Sequence, residues 1–347
     1  MNIELFKLYK IDYLKENKKY FCFFDEIKDP NIDIRQVLPD NKQDHFIENI
    51  KKCTETVLEY DKLNKYSNNL KKYNNLFRSL KTSKIDVLAY KAFSEIESNE
   101  SILSSIKSFK PYKLYTKTIE YDKFNNVSGR LVVKEGPKIL TLPSRHRSIL
   151  KSRFDKGSIY SIDFSSLEPR ITAKLSETKS GNDIYEDILE LLSYDADRSV
   201  IKKAVISSIY GANYTSLENL SVDKSKELFD VINNYFDFKK ILKMSSNIDE
   251  FKIRRNYFGR PIWNLEENRE NILINNYIQS SAVDISLLYF SEIVDLTDNI
   301  VPLFVLHDAL IVDIDDKNFN DVKEIVEKGY TNDKLGHFPL KIEKFNI

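Results

Sequence analysis

No glycine occurs in the first 128 residues; all eight lie at or after Gly129. Turns that need a positive φ are therefore concentrated in the later part of the chain, and the first part is expected to be mainly helical. Its apolar residues agree. Phe46, Ile50, Cys53, Val57, Tyr60 and Leu63 recur at three- and four-residue spacing, as do Tyr66, Leu70, Tyr73, Phe77 and Leu80. This predicts a helical hairpin, with Ser67-Asn68-Asn69 near the join. Beyond Gly129 the period changes. Ser158 to Phe164 alternates, with Tyr160, Ile162 and Phe164 on one face and Asp163 on the other, as a half-buried strand requires. Pro302–Leu306 and Leu310–Ile314 would pair as a second hairpin with His307–Asp308 at its tip. Between these regions Arg198, Lys202, Ile206 and Tyr210 recur every four residues. On a helix they form a stripe about 18 Å long, while Ile201, Val205 and Ile209 face a core.

Each of these features alone has an ordinary explanation. Asp163 could cap a helix or end a strand, His307–Asp308 could be a polar turn, Arg198 and Lys202 a solvated face, and Tyr210–Gly211 a helix C-terminus. Together they suit one kind of chemistry. Two carboxylates held on rigid strands suit a pair of hard cations, and a cationic helix stripe suits an anion. Phosphoryl transfer asks for this combination, because it depends on metal ions and positive side chains around the phosphates more than on covalent help from the protein.

The remaining composition sets bounds. With 347 residues, 41% of them hydrophobic and 12% aromatic, the chain can bury a sizeable core and is expected to fold as one multi-lobed unit. It has no apolar run of about 18 residues and no signal-peptide pattern, so a cytoplasmic protein without membrane contact is expected. Cys22 and Cys53 are lone and far apart, which gives neither a zinc motif nor a disulfide framework. His45, His146 and His337 read as structural. Net charge is zero, but Arg130, Lys134, Lys138, Arg145, Arg147, Lys151, Arg153 and Lys156 face only Glu135 and Asp155. That local basic stretch is a candidate for following a phosphate backbone.

The motifs resemble those of the family A DNA polymerases, of the DNA polymerase I type. Asp163, Phe164, Ser165, Glu168 and Arg170 resemble the family's first motif, Arg198, Lys202, Tyr210 and Gly211 its second, and His307–Asp308 its third. Further similar segments occur in the family's order: SGRL at 128–131, NDIY at 182–185, NNYIQSSAVDI at 275–285 and the closing FPLKIE. The resemblance covers about 128–345 and implies an α+β fold of the right-hand polymerase kind, with an antiparallel palm sheet, helical fingers and a helical thumb. It places a short N-terminal segment at 1–40, thumb at 41–128, palm at 129–180 and 266–347, and fingers at 181–265. Only about 40 residues precede the thumb, too few for a usual domain, so no proofreading exonuclease is expected. Asp25 and Glu26 in YFCFFDEIKD are at most a vestige of one.

The resemblance also implies roles. Asp163 and Asp308 would hold two Mg²⁺ ions, for which Mn²⁺ can substitute, and Lys202 would be catalytic. Arg198, Lys202, Ile206, Tyr210 and Glu168 would bind the nucleotide, with Glu168 blocking a 2′-OH from the first turn of a helix capped by Ser166. Arg130, Asn275, Gln279 and His307 would touch DNA. The implied partners are primer-template DNA and dNTPs, with a processivity factor or exonuclease acting in trans, and a monomer is expected; the compact form without an exonuclease domain suggests phage or mobile-element replication, and repair gap filling is equally compatible. Three positions depart from the family pattern: Ile206 stands where an aromatic is usual, Ala309 where an acid often follows His-Asp, and Asn271 where an Arg often faces the template. The alternatives are a primer-independent or ribonucleotide-using polymerase and a nucleic-acid-binding module without catalysis.

Overall fold

The computed structural model describes residues 3–13, 38–62, 65–216, 220–263 and 266–345, so Cys22, Asp25 and Glu26 lie outside the described residues. Two compact units divide the chain, Met1–Asn68 and Asn69–Ile347. In the first, α1 (Ile3–Leu8) and α2 (Asp40–Asp61) bury Phe6, Phe46 and Val57. Asp61 is buried at the end of α2, where it accepts a hydrogen bond from the Tyr9 hydroxyl at 2.9 Å. It also accepts from the Ser67 amide in the first turn of α3 (Tyr66–Ser79). Ser67, Asn68 and Asn69 are thus helical, and the join expected near them lies just before Tyr66. A carboxylate supplied from upstream stabilises the exposed amides that start α3, which lets short polar residues sit inside it.

The second unit continues with β1 (Lys84–Ile85), α4 (Val87–Ile96), α5 (Glu100–Lys107), β2 (Glu120–Asp122), β3 (Val132–Glu135) and β4 (Leu150–Lys151). Asp86 and Asn99 begin α4 and α5 by accepting two helix amides each, at 3.0 to 3.2 Å. Then come β5 (Gly157–Phe164), α6 (Leu167–Leu175), α7 (Ile184–Leu189), α8 (Arg198–Ile209), α9 (Val222–Tyr235) and α10 (Phe238–Ser246). The chain closes through β6 (Arg254–Arg255), β7 (Pro261–Ile262), α11 (Glu270–Leu296), β8 (Val301–Leu306), β9 (Ala309–Asp315), α12 (Phe319–Glu327), β10 (Tyr330–Asn332), β11 (Gly336–Phe338) and β12 (Leu340–Lys344).

Every strand pairing among the described residues is antiparallel. The four-stranded sheet has the order β12-β5-β9-β8, which makes β5 an interior strand. Its Tyr160, Ile162 and Phe164 face the core as the alternation required. Phe164 meets Phe290 of α11 and Phe338 of β11, with ring centroids at 5.9 and 6.4 Å, and Tyr160 stacks on Phe319 of α12 at 4.6 Å. Helix α11 is buried along most of its length, including Ser280, Ser281 and Ser286. These serines return their hydroxyl hydrogen bonds to carbonyls one turn back, so they can sit in an apolar interface.

Two buried carboxylates pin loops to this core. Asp284 of α11 accepts from Asn256 Nδ2 at 2.7 Å and the Tyr73 hydroxyl at 3.1 Å, and pairs with Arg260 Nη1 at 3.4 Å. Asp313 of β9 accepts from Ser152 Oγ at 2.6 Å and the Arg153 amide at 2.8 Å. At the edge strand β8, the Tyr121 hydroxyl donates to the Val305 carbonyl at 2.8 Å and accepts from the Val305 amide at 3.0 Å. One side chain thereby occupies both backbone groups that a neighbouring strand would use. No helix among the described residues is long and apolar enough to cross a membrane.

Candidate active site

Asp163 and Asp308 arrive at one place through strand register. Asp163 is next to last in β5 and pairs with Ala309, so the His307–Asp308 turn between β8 and β9 lies directly beside it. The Phe164 amide donates to the Asp308 carbonyl at 3.4 Å, and His307 takes the positive φ of 55° that closes the two-residue turn. Both acids line a cavity of about 360 Å³, together with Arg130, Glu168, Lys202, Ile206, Gln279 and His307. Burial, followed by the charge of Asp308, pushes the Asp163 carboxyl up to about 6 despite the pull of Lys341 and Lys202. Burial raises Asp308 as well, with its own amide, His307, Arg130 and Lys202 favouring the charged form.

Helix α8 forms as expected and buries Ile201, Val205 and Ile209. Asp197 caps it by accepting from the Ser199 amide at 2.7 Å, and Gly211 ends it at φ 79°, where a Cβ would collide with the Asn271 side chain. Lys202 and Ile206 line the cavity; Arg198 and Tyr210 do not. The Arg198 guanidinium pairs with Asp183 at 2.5 Å, approaches Glu186 at 3.7 Å and lies over the Tyr185 ring. Burial disfavours the charged form of Asp183, but hydrogen bonds from Arg198 and the Tyr185 amide outweigh it and hold its carboxyl below the usual range. Lys202 is exposed and makes no ion pair or hydrogen bond among the described residues.

Glu168 sits in the first turn of α6, followed by Pro169 at a position where no amide donor is needed. Ser166 precedes the helix, but at φ 58° and without a side-chain cap bond, so its capping role is corrected: the turn is held by backbone shape. Arg170 reinforces that turn from Nε to the Ser165 carbonyl at 2.9 Å. Glu168 accepts from Arg130 Nη2 at 2.8 Å on one oxygen and from the Tyr210 hydroxyl at 2.9 Å on the other, and Arg130 also donates to Tyr210 at 3.1 Å. This triad joins three distant sequence segments, with Arg130 and Glu168 at one wall of the cavity and Tyr210 behind them. Arg130 can reach it because Gly129, at φ 73°, packs against the Arg260 guanidinium where any Cβ would clash.

Gln279 lines the cavity from α11, whereas Asn275, one turn earlier, does not and keeps a buried Oδ1 without a hydrogen-bond partner. The basic stretch is spent largely on the protein itself. Arg145 pairs with Glu97 at 3.0 Å, Lys134 with Glu120 at 3.1 Å, Arg153 with Asp313 at 3.4 Å, and Arg147 lies over the Phe345 ring. The acids that engage these cations come from other parts of the chain, which local charge counting did not include.

A model of the family described as DNA polymerase family A matches residues 34–344. The chain belongs to DNA polymerase family A. No curated protein sequence matches it. Among solved structures it resembles the POL domain of Pol1 from M. smegmatis in complex with DNA primer-template and dNTP, with a TM-score of 0.58 and 16% sequence identity. That likeness covers 71% of this chain and 51% of the other, so the chain spans about half the length of that solved relative. At this identity the likeness is one of fold, and it agrees with the mixed helical and antiparallel architecture described above.

Within this family A chain, no group of three His, Cys, Asp or Glu residues clusters in metal-holding geometry among the described residues. The residues present nevertheless suit hard cations. Asp163 and Asp308 are two desolvated carboxylates, raised together, with no hydrogen bond from another side chain reaching either among the described residues. An arrangement of that kind is satisfied by external positive charge. The sequence reading missed several residues around them: Asp183 and Glu186, which hold Arg198; Arg260, under Gly129; and Lys341 with Glu343, beside Asp163. Asp183, Lys341 and Glu343 were within quoted segments, but only their neighbours in space reveal what they do.

Proposed function

We propose that the chain is a template-directed DNA polymerase that extends a primer 3′-OH with deoxynucleoside triphosphates. The observation that carries this is the meeting of Asp163, Asp308, Lys202 and Glu168 in one cavity. Two Mg²⁺ ions, replaceable by Mn²⁺, would be held by Asp163 and Asp308 and would supply a more acidic primer hydroxyl and charge stabilisation of the leaving pyrophosphate. Lys202, exposed and unpaired, faces the phosphates and holds a proton at Nζ for the leaving group. Arg198 joins it by leaving Asp183 when a triphosphate offers a stronger anionic partner. Ile206 and Tyr210 line the side of the nascent base pair.

Glu168 excludes a 2′-OH, because Arg130 and Tyr210 fix both of its oxygens and leave it no freedom to move aside. Arg130, Gln279, Asn275 and His307 contact primer and template, with the first three reading minor-groove acceptors shared by all correct pairs. In this assignment 129–180 and 266–347 form the palm, 181–265 the fingers and 41–128 the thumb. Closure of α8 over a correct pair completes the site.

The test is extension of a labelled primer-template by the purified protein with Mg²⁺ and either deoxy- or ribonucleotides. The expected result is template-length product with deoxynucleotides only, absent from Asp163→Ala and Asp308→Ala, and ribonucleotide incorporation by Glu168→Ala. Ribonucleotide product from the unmodified protein would turn the assignment to RNA synthesis. Tight DNA binding without product would turn it to a binding module.

A further inference from the structure

Strand β12 forms the outer edge of the sheet beside β5, with Lys341 opposite Asp163 and Glu343 opposite Ser161. The two-residue period of strands puts Lys341, Glu343 and Asp163 on the same face. Lys341 Nζ lies 3.9 Å from Asp163 Oδ2 and 3.2 Å from each oxygen of Glu343. The first distance is an ion pair too long for a hydrogen bond, and the second is at the outer limit of one. The ammonium therefore stands between two carboxylates, held more closely by the one farther from the cavity. Its side chain is 46% exposed and that of Glu343 63%, so both are free to change rotamer, while Asp163 at 32% is the more enclosed partner.

We propose that Lys341 is a resident cation competing with divalent ions for Asp163, and that Glu343 is its alternative seat, so that this pair sets the ion concentration at which the acids fill. The inference rests on the reading of Asp163 as a metal ligand. When a divalent ion arrives, the ammonium withdraws toward Glu343, a shift that needs only side-chain rotation. In the absence of the ion it returns and partly compensates the charge of Asp163. Lys341 is thus a positioning residue for the ion site rather than a participant in the chemistry, and Glu343 acts chiefly through it.

The test is binding of Mn²⁺ to the intact protein without DNA or nucleotide, followed by the loss of the free-ion signal in electron paramagnetic resonance. Lys341→Gln should tighten the Asp163-dependent site by about three- to tenfold, as expected for removing one partly screened positive charge about 4 Å away. Glu343→Gln should weaken it by a similar factor, because the ammonium loses its alternative partner. In the Lys341→Gln background the effect of Glu343→Gln should fall to less than half its size. Unchanged binding in Lys341→Gln overturns the proposal, and an equal effect of Glu343→Gln in both backgrounds overturns the seat role by making Glu343 act directly. If the unmodified protein binds no more Mn²⁺ than Asp163→Ala, the metal reading falls and this inference falls with it.

Discussion

Asp284 is sealed from water and Asp163 is partly withdrawn from it, and their surroundings treat them in opposite ways. Asp284, with a side chain 0% exposed, meets the Arg260 guanidinium, the Asn256 amide and the Tyr73 hydroxyl. Asp163 meets a second acid and only a distant ammonium, Lys341 Nζ at 3.9 Å, and its carboxyl rises to about 6. Asp313 follows the first pattern and Asp308 the second. The difference separates carboxylates that hold the fold from carboxylates that wait for a ligand: folding alone gains from satisfying a buried charge, so an unsatisfied one is kept for another purpose.

Substitutions can break or sharpen this contrast. Asp163→Ala and Asp308→Ala should lower single-nucleotide incorporation by about 10³- to 10⁴-fold, some 4–5 kcal/mol in the barrier, without lowering the melting temperature. Asp284→Ala should do the reverse in kind, costing about 3–4 kcal/mol in urea unfolding because the Arg260 charge is left buried and unpaired. Arg198→Ala should raise the nucleotide KM by about tenfold in steady-state extension, while Asp183→Asn, which frees the guanidinium, should lower it by about two- to threefold. Asp163→Asn should stabilise the metal-free protein by about 1 kcal/mol. A raised folded-state pKa means the ionised group destabilises the fold above that pKa, and the effect is discounted here for a side chain still about a third wet. Loss of stability in Asp163→Asn would place Asp163 with Asp284 and erase the distinction.

What could be read from the sequence was whatever repeats along one element. The two-residue alternation of β5, the four-residue stripe of α8 and the hairpin around His307–Asp308 each follow from local sterics, and the chain forms all three. What could not be read depends on neighbours distant in sequence. Ser67-Asn68-Asn69, expected near the join, fall inside α3 because the carboxylate that steadies its first turn belongs to Asp61. The ion pairs of Arg198 were hidden because Asp183 and Glu186 had no visible position relative to it. The basic stretch looked free because Glu97, Glu120 and Asp313 come from elsewhere. Lys341 needed the register of β12 on β5, which no pattern within FPLKIE specifies. The acids themselves stood out because an ordered set of family motifs pointed to them, whereas their desolvation required the fold.

The Tyr121 hydroxyl at Val305 has a consequence for assembly. An open strand edge is a template onto which another chain can crystallise its own backbone, and β8 runs straight into the turn that carries Asp308. With both Val305 groups already engaged, a foreign strand would arrive at a gap in the ladder one residue before Leu306. The β8 edge is therefore interrupted, next to the turn that carries Asp308, by a single phenol.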